Sequence, residues 1–348
     1  MEFQVQRGLD WRSQQPSVGL LPRLRQGCVL RKEDGRIAAA STAAAVSSPA
    51  AAAFSLRGTG EADLSSAGGE CHHAAGFELN GLWSAGEAWS LSLRGHLGVV
   101  DGEFEAEAER LYLEYARGPF RLRLGRQAVA WGAGWFFRPT DLITPRLFLG
   151  EEEGRPGRDL VSLSFATSAL TAVEFAAGED LLAARAGWEI GRTGLRLLGL
   201  KKGGVKTLGC DLQGGLAGFY LEAAYEWTED PAAGRPAALL GWNRTIGGDR
   251  LLYLEYLHDE RGRFFFGRNY LAAGLEIPRD ELTTYTLAAL ANLDDGGVMA
   301  SGLVNLVLSD RADLRAGAGL ILGPKNSEFA LAASGARLSL SAGYRYYF

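Results

Sequence analysis

The sequence predicts an all-β fold: a transmembrane antiparallel β-barrel of about 18 strands over 54–348, preceded by a leader or tail over 1–53. Three observations predict it. The C-terminal segment alternates apolar and polar residues to its last position. The chain after Phe54 divides into a near-regular series of such segments. The long connections between them all fall on one side of the series.

The C-terminal segment, 336–348, reads ARLSLSAGYRYYF. Leu338, Leu340, Ala342, Tyr344, Tyr346 and Phe348 share one parity, and Arg337, Ser339, Ser341, Gly343 and Arg345 the other. Successive strand side chains point to opposite faces, so one face is apolar and ends in aromatics while the other is polar. A half-buried soluble strand also alternates. The aromatics gathered at the end of a thirteen-residue segment suit a membrane strand with an aromatic girdle better.

Composition permits this architecture without demanding it. Hydrophobic residues make up 47% of the 348, and no apolar run reaches the ~18 residues of a membrane helix. Barrel strands need only every second residue apolar. Of 36 basic residues only Lys32, Lys201, Lys202, Lys206 and Lys325 are lysine. The arginine bias fits ion-pair networks or anionic ligands, and equally a GC-rich coding sequence. A net charge of −5 argues against a nucleic-acid binder. Cys28, Cys71 and Cys210 form no CxxC pair, and neither a metal nor another cofactor is expected.

In chain order, 1–36 carries scattered charge, and 37–53 is a small-residue run ending in an Ala-x-Ala site. It reads as a weak secretory signal with cleavage near Ala53, or as a disordered tail. The expected strands lie at about 54–64, 75–83, 88–99, 105–116, 119–127, 159–168, 170–177, 181–189 and 193–201, then 204–212, 215–227, 236–245, 249–258, 268–277, 281–292, 297–308, 311–321 and 336–348. If the first strand rises from the periplasm, odd-to-even connections are extracellular and expected to be long, and even-to-odd turns tight. The long connections 128–158, 228–235, 259–267 and 322–335 follow strands 5, 11, 13 and 17. An even count puts both termini in the periplasm.

Parity assigns the faces. Leu111, Leu113 and Tyr115 oppose Arg110, Tyr112 and Glu114; Leu221 and Tyr225 oppose Glu222 and Glu226; Leu254 and Tyr256 oppose Glu255. Charges facing lipid at mid-membrane cost ~2–4 kcal/mol each, so the charged parity faces the lumen. This makes Arg94, Arg110, Glu114, Arg121, Arg123 and Arg185 pore-lining, with Glu222, Glu226, Glu255, Arg315, Arg337 and Arg345 on the remaining strands. Basic rows on strands 3–9 facing acidic rows on 11–14 would set a transverse field. Alternatively, ion pairs fill a narrow interior that conducts little.

The connection 128–158 carries Trp131, Trp135, Phe136 and Phe137, rings that need burial. It is either folded inward as a constriction or laid across the mouth as a cap. Arg126, Gln127, Trp131, Trp135, Arg138 and Asp141 are its candidate residues, with Asp141 pairing Arg126 or an inward arginine to pin the loop. The same residues also suffice to fold the loop without touching solute. Cys71-His72-His73, placed in the first extracellular connection, is too compact for a tetrahedral metal site. Glu151–Glu153 reads as a solvated loop. No pattern pairs a histidine with a nucleophile, so an enzyme is not expected.

Gly125-Arg126-Gln127 at a strand end, Trp131-Gly132, Pro139-Thr140-Asp141-Leu142 and Pro145 resemble outer-membrane porin-like barrels that include the alginate-export family. The terminal strand resembles those of bacterial outer-membrane barrels, whose last aromatic is read by the assembly machinery. These resemblances imply a bacterial outer-membrane location. They also imply membrane lipid and lipopolysaccharide as surroundings, the barrel-assembly machinery as a partner through Phe348, and an eighteen-stranded barrel with an arginine-lined path. Three functions follow: a channel for small hydrophilic solutes, anionic ones among them; an export conduit for an anionic polysaccharide; or a sheath for a periplasmic partner.

Overall fold

A computed structural model describes residues 52–348 except 68–69, 145–156, 169, 215–216, 264–265 and 334. The leader, apart from its last residues, and Glu151–Glu153 lie outside the described residues. The strands are β1 (Ala52–Ala67), β2 (Glu70–Ala85), β3 (Trp89–Val100), β4 (Glu103–Arg117), β5 (Phe120–Gln127), β6 (Arg158–Ser168), β7 (Thr171–Gly178), β8 (Leu181–Ile190) and β9 (Thr193–Lys202). They continue as β10 (Val205–Gln213), β11 (Phe219–Trp227), β12 (Arg235–Ile246), β13 (Arg250–Asp259), β14 (Asn269–Pro278), β15 (Thr283–Asn292), β16 (Val298–Ser309), β17 (Ala312–Leu322) and β18 (Leu338–Tyr347), with a short helix α1 (Glu328–Ala332) before β18.

Each strand pairs antiparallel with its sequence neighbours, and β18 pairs with β1, so the eighteen-stranded sheet closes on itself. Closure removes both sheet edges. At the seam Phe348 exchanges backbone hydrogen bonds with Gly58 at 3.0 and 3.1 Å, and its ring lies flat over Gly58, where a Cβ would collide with it.

The outer surface is apolar as parity requires. Leu221, Leu240, Leu254, Leu320, Leu340 and Tyr344 are all exposed. In the cross-strand register they stand opposite other apolar residues, as Leu221 opposite Leu240 and Leu254 opposite Trp242.

Two expectations need correction. β1 and β2 are longer than anticipated and leave only 68–69 between them, so Cys71-His72-His73 lies on β2 and not in a loop. The connections β3–β4, β7–β8 and β9–β10 are likewise two-residue turns, although they follow odd strands. Tight turns are therefore allowed at both ends. Glycine makes two of them possible: Gly102 at φ 89° and Gly203 at φ 57° adopt the left-handed conformation that suits a two-residue hairpin, whereas the β7–β8 turn is Glu179-Asp180.

The inner face is not uniformly polar either. Leu181, Ala183, Leu198 and Leu200 are buried on one part of it, and Tyr220, Leu239, Leu257, Tyr270 and Leu290 on another. Both patches are covered from within.

Candidate constriction loop and inner wall

The chain leaves β5 through Gln127, which is fully buried; its amide donates to the Leu160 carbonyl at 2.9 Å and accepts from Ser162 Oγ at 2.6 Å. Beyond it the two arms of the loop are tied together. Thr144 Oγ1 accepts from the Val129 amide and donates to the Val129 carbonyl, at 2.9 and 2.8 Å, and Asp141 accepts from the Trp131 amide at 3.3 Å. Gly132 turns at φ 99°, where a Cβ would stand 3.0 Å from both Glu222 carboxylate oxygens and from Thr140 Oγ1.

Two wall carboxylates then hold the tip. Glu222 on β11 accepts from the amides of Ala133, Gly134 (2.6 Å) and Thr140 (3.1 Å) and from Thr140 Oγ1 (2.7 Å). Glu255 on β13 accepts from the amides of Trp135, Phe136 and Phe137, the last two at 2.9 Å, and from Tyr220 Oη at 2.5 Å. Both glutamates are almost fully buried, so these charge-assisted bonds are what permits a carboxylate there. The neighbouring tyrosines make the room. Tyr220 and Tyr253 lie flat across Gly241 and Gly274 on the adjacent strands, positions where any Cβ would collide with the ring.

The rings settle against the same wall. Trp135 stacks on Tyr253 with centroids 5.2 Å apart, and Phe137 packs with Tyr220, Leu239, Leu257 and Tyr270. On the other side Trp131, Leu142 and Ile143 cover Leu160, Leu181, Ala183, Leu198 and Leu200. Trp131 Nε1 donates to Glu174 at 2.9 Å, and the Arg185 guanidinium stands 5.2 Å from its ring while pairing with Glu174 at 3.0 Å. Arg138 bonds back to the Gly134 carbonyl at 2.6 Å, and Arg261, paired with Asp259, donates to the Pro139 carbonyl at 2.9 Å. Residues 131–143 thus rest on inward-facing side chains of β6–β9 and β11–β14. At the same end α1 turns in as well: Glu328 accepts from Tyr270 Oη and Asn292 Nδ2, both at 2.7 Å, and Phe329 joins the Phe137 cluster.

The remaining wall carries the arginines. Arg94 pairs with Glu78 at 2.6 Å and Glu109 at 2.9 Å, and Arg110 stands opposite it in register. Arg123 pairs with Glu114 at 2.5 Å and lies over the Tyr112 ring; Arg121 reaches the same carboxylate only at 3.7 Å and keeps 54% of its side chain exposed. Arg345 pairs with Glu61 at 2.8 Å, Glu226 with Arg263 at 2.6 Å, and Arg337 donates to the Gly323 carbonyl at 3.1 Å. Arg315 is half-buried between Gly343 and Asn305 in the register.

Arg126 does not pin the loop. It pairs with Asp159, its outward-facing neighbour on β6, at 3.2 Å, because the residue between Gln127 and Gly125 necessarily faces the lipid side. Nor do basic and acidic rows face each other unpaired. The arginines of β3–β9 are largely matched by acids beside them; on β11–β13 Glu222 and Glu255 are matched by loop amides, and Glu226 and Asp259 by Arg263 and Arg261. Sequence reasoning missed the loop's footprint. Its signal was the doublets Leu181-Leu182, Leu197-Leu198 and Leu239-Leu240, which are apolar on both faces at once. Among the described residues, no group of three or more His, Cys, Asp or Glu is arranged to hold a metal ion.

A closed eighteen-stranded meander with an apolar outer surface defines a porin-like membrane barrel. The chain is similar in structure to Pseudomonas aeruginosa OccK2 (OpdF) solved in complex with glucuronate, at 11% identity and TM-score 0.58, over 85% of this chain and 98% of that one. It is similar to Pseudomonas aeruginosa OprD at 11% identity and TM-score 0.58, over 85% and 95%. It is also similar to a triple mutant of the Rhodopseudomonas blastica porin, at 11% and TM-score 0.52, over 85% and 100%. No protein-family model matches the sequence, and no curated protein sequence does. None of the three barrels is an alginate exporter, and that resemblance stands on the 125–145 motif alone.

Proposed function

We propose that this chain is a bacterial outer-membrane channel for small hydrophilic solutes, narrowed by the connection 128–158. The observation that carries the reading is the seating of 133–140 on Glu222 and Glu255. A loop held across part of the inner wall leaves solute the sector lined by β1–β5 and β16–β18. There Arg94, Arg110, Arg121 and Arg123, with Glu114, are proposed to line the path, together with Arg315, Arg337 and Arg345. Arg121 is the best placed to meet an anionic solute, since it is half free of its acid. Glu222, Glu226, Glu255 and Arg185 take a structural part in this reading, holding the loops rather than meeting solute. Phe348, closing the seam on Gly58, is proposed as the contact for the assembly machinery.

The 125–145 motif does not favour polymer export in this reading. Gln127, Gly132, Thr140 and Asp141 are engaged in folding the loop, and Arg126 faces outward. Planar-bilayer recording tests the proposal. Discrete single-channel steps with a weakly anion-favouring reversal potential are expected from the refolded chain; no conductance above leak overturns it.

A further inference from the structure

We infer that the outer face of the β9–β10 hairpin is a docking site for the phosphorylated headgroup of an outer-leaflet lipid, gripped by Lys201 and Lys206. The inference rests on the outer-membrane reading for its choice of lipid, but not on the barrel conducting.

The sequence holds only five lysines among 36 basic residues, and three of them fall in 201–206, around the two-residue turn Gly203-Gly204. Lys201 and Lys206 are directly opposed across the β9–β10 ladder, and both are exposed. They share the parity of Leu197 and Leu208, the face that meets lipid. In the register they continue as one row: Leu182 beside Lys201 on β8, and Trp227 beside Lys206 on β11. One inward from the rim, Leu208 stands opposite Tyr225, and the Tyr225 and Trp227 rings lie 6.0 Å apart.

Two like charges directly opposed on a sheet repel each other, so the arrangement needs a counter-charge. Of the acids in the neighbouring turns, Asp180 is taken by Arg158 and Asp230 caps the Ala232 amide, while Glu179 and Glu229 are exposed on the same rim and neither pairs with Lys201 or Lys206. A lysine pair above leucines and beside a tyrosine–tryptophan pair stands at the level where a membrane's headgroups begin. The hairpin tip is at the end of the barrel that carries the long loops, which is the extracellular one. A lipid phosphate there brings its negative charge between two ammonium groups while its acyl chains lie on Leu182, Leu197 and Leu208.

The test uses the full chain in detergent, with thermal unfolding measured against added bisphosphorylated lipid A, dephosphorylated lipid A and inorganic phosphate. Bisphosphorylated lipid A is expected to raise the midpoint saturably, with the other two giving little. Lys201→Gln/Lys206→Gln should weaken that response about tenfold, Lys201→Arg/Lys206→Arg should keep it, and Lys325→Gln should leave it unchanged. An equal response from the glutamine pair, or from dephosphorylated lipid A, overturns the site. An equal response to phosphate alone overturns the lipid as its occupant. Conductance of the same glutamine variant should match the native chain, so a failure of the channel reading would be seen separately.

Discussion

The wall under the loop and the wall without it solve the same problem with different partners. On β11–β13 the inward carboxylates, Glu222 and Glu255, are satisfied by backbone amides of another segment. On β1–β5 the inward carboxylates Glu61, Glu78, Glu109 and Glu114 are satisfied by guanidinium groups on the adjacent strand. The first arrangement is specific, because the amides of 133–137 fit only one seating. The second is interchangeable, because an arginine can swap between acids. The covered wall therefore fixes a shape, and the uncovered wall fixes a charge balance.

The sharpest way to break that comparison is to remove both clamps. Glu222→Ala/Glu255→Ala orphans at least six backbone amides, each worth about 1–3 kcal/mol when buried without a partner. Hydrogen exchange of 133–137 should then quicken by at least ~100-fold while β1–β5 stay protected. Unchanged exchange would mean the carboxylates are bystanders. A smaller effect is expected from Gly132→Val, which needs φ near 99° and space already held by Glu222. It should loosen the loop by about 1–3 kcal/mol and leave the outer wall untouched, by the same exchange measurement.

On the uncovered wall, Arg123→Gln should change charge selectivity without changing shape. Reversal potentials under a salt gradient should move toward cations, with unitary conductance altered by less than about twofold, since Glu114 keeps Arg121 nearby. A collapse of conductance would show that the arginine row also builds the path.

The smallest effect concerns pH. Asp294, in the β15–β16 connection, is held below the usual carboxylate range by hydrogen bonds from the Asn269 side chain and the Arg268 amide. A depressed value means its contribution is full above about pH 4 and is lost as pH falls through the lower, folded value. Acid should therefore destabilise the native chain more than Asp294→Asn, in melts taken between neutral pH and about pH 2.

Much of the barrel was legible because its rule is local. Period-two alternation in segments such as 219–227 and 338–347 fixes both strand and face, and an even count fixes closure. Turn lengths were less legible: a glycine at positive φ closes a hairpin in two residues whichever end of the barrel it occupies. The loop's seat was hardest to read. Glu222 and Glu255 look in sequence like any other inward charge, and their partners are amides 82–120 residues away, which no side-chain pattern advertises. The doublets Leu181-Leu182, Leu197-Leu198 and Leu239-Leu240 depart from the alternation, and their inward members are buried under the loop.

The most direct test of the claim that two carboxylates set the pore is a comparison of unitary conductance between the native chain and Glu222→Ala/Glu255→Ala in the same bilayer and salt. A several-fold larger and noisier step from the variant is the expected result. Equal, equally quiet steps from both would contradict it.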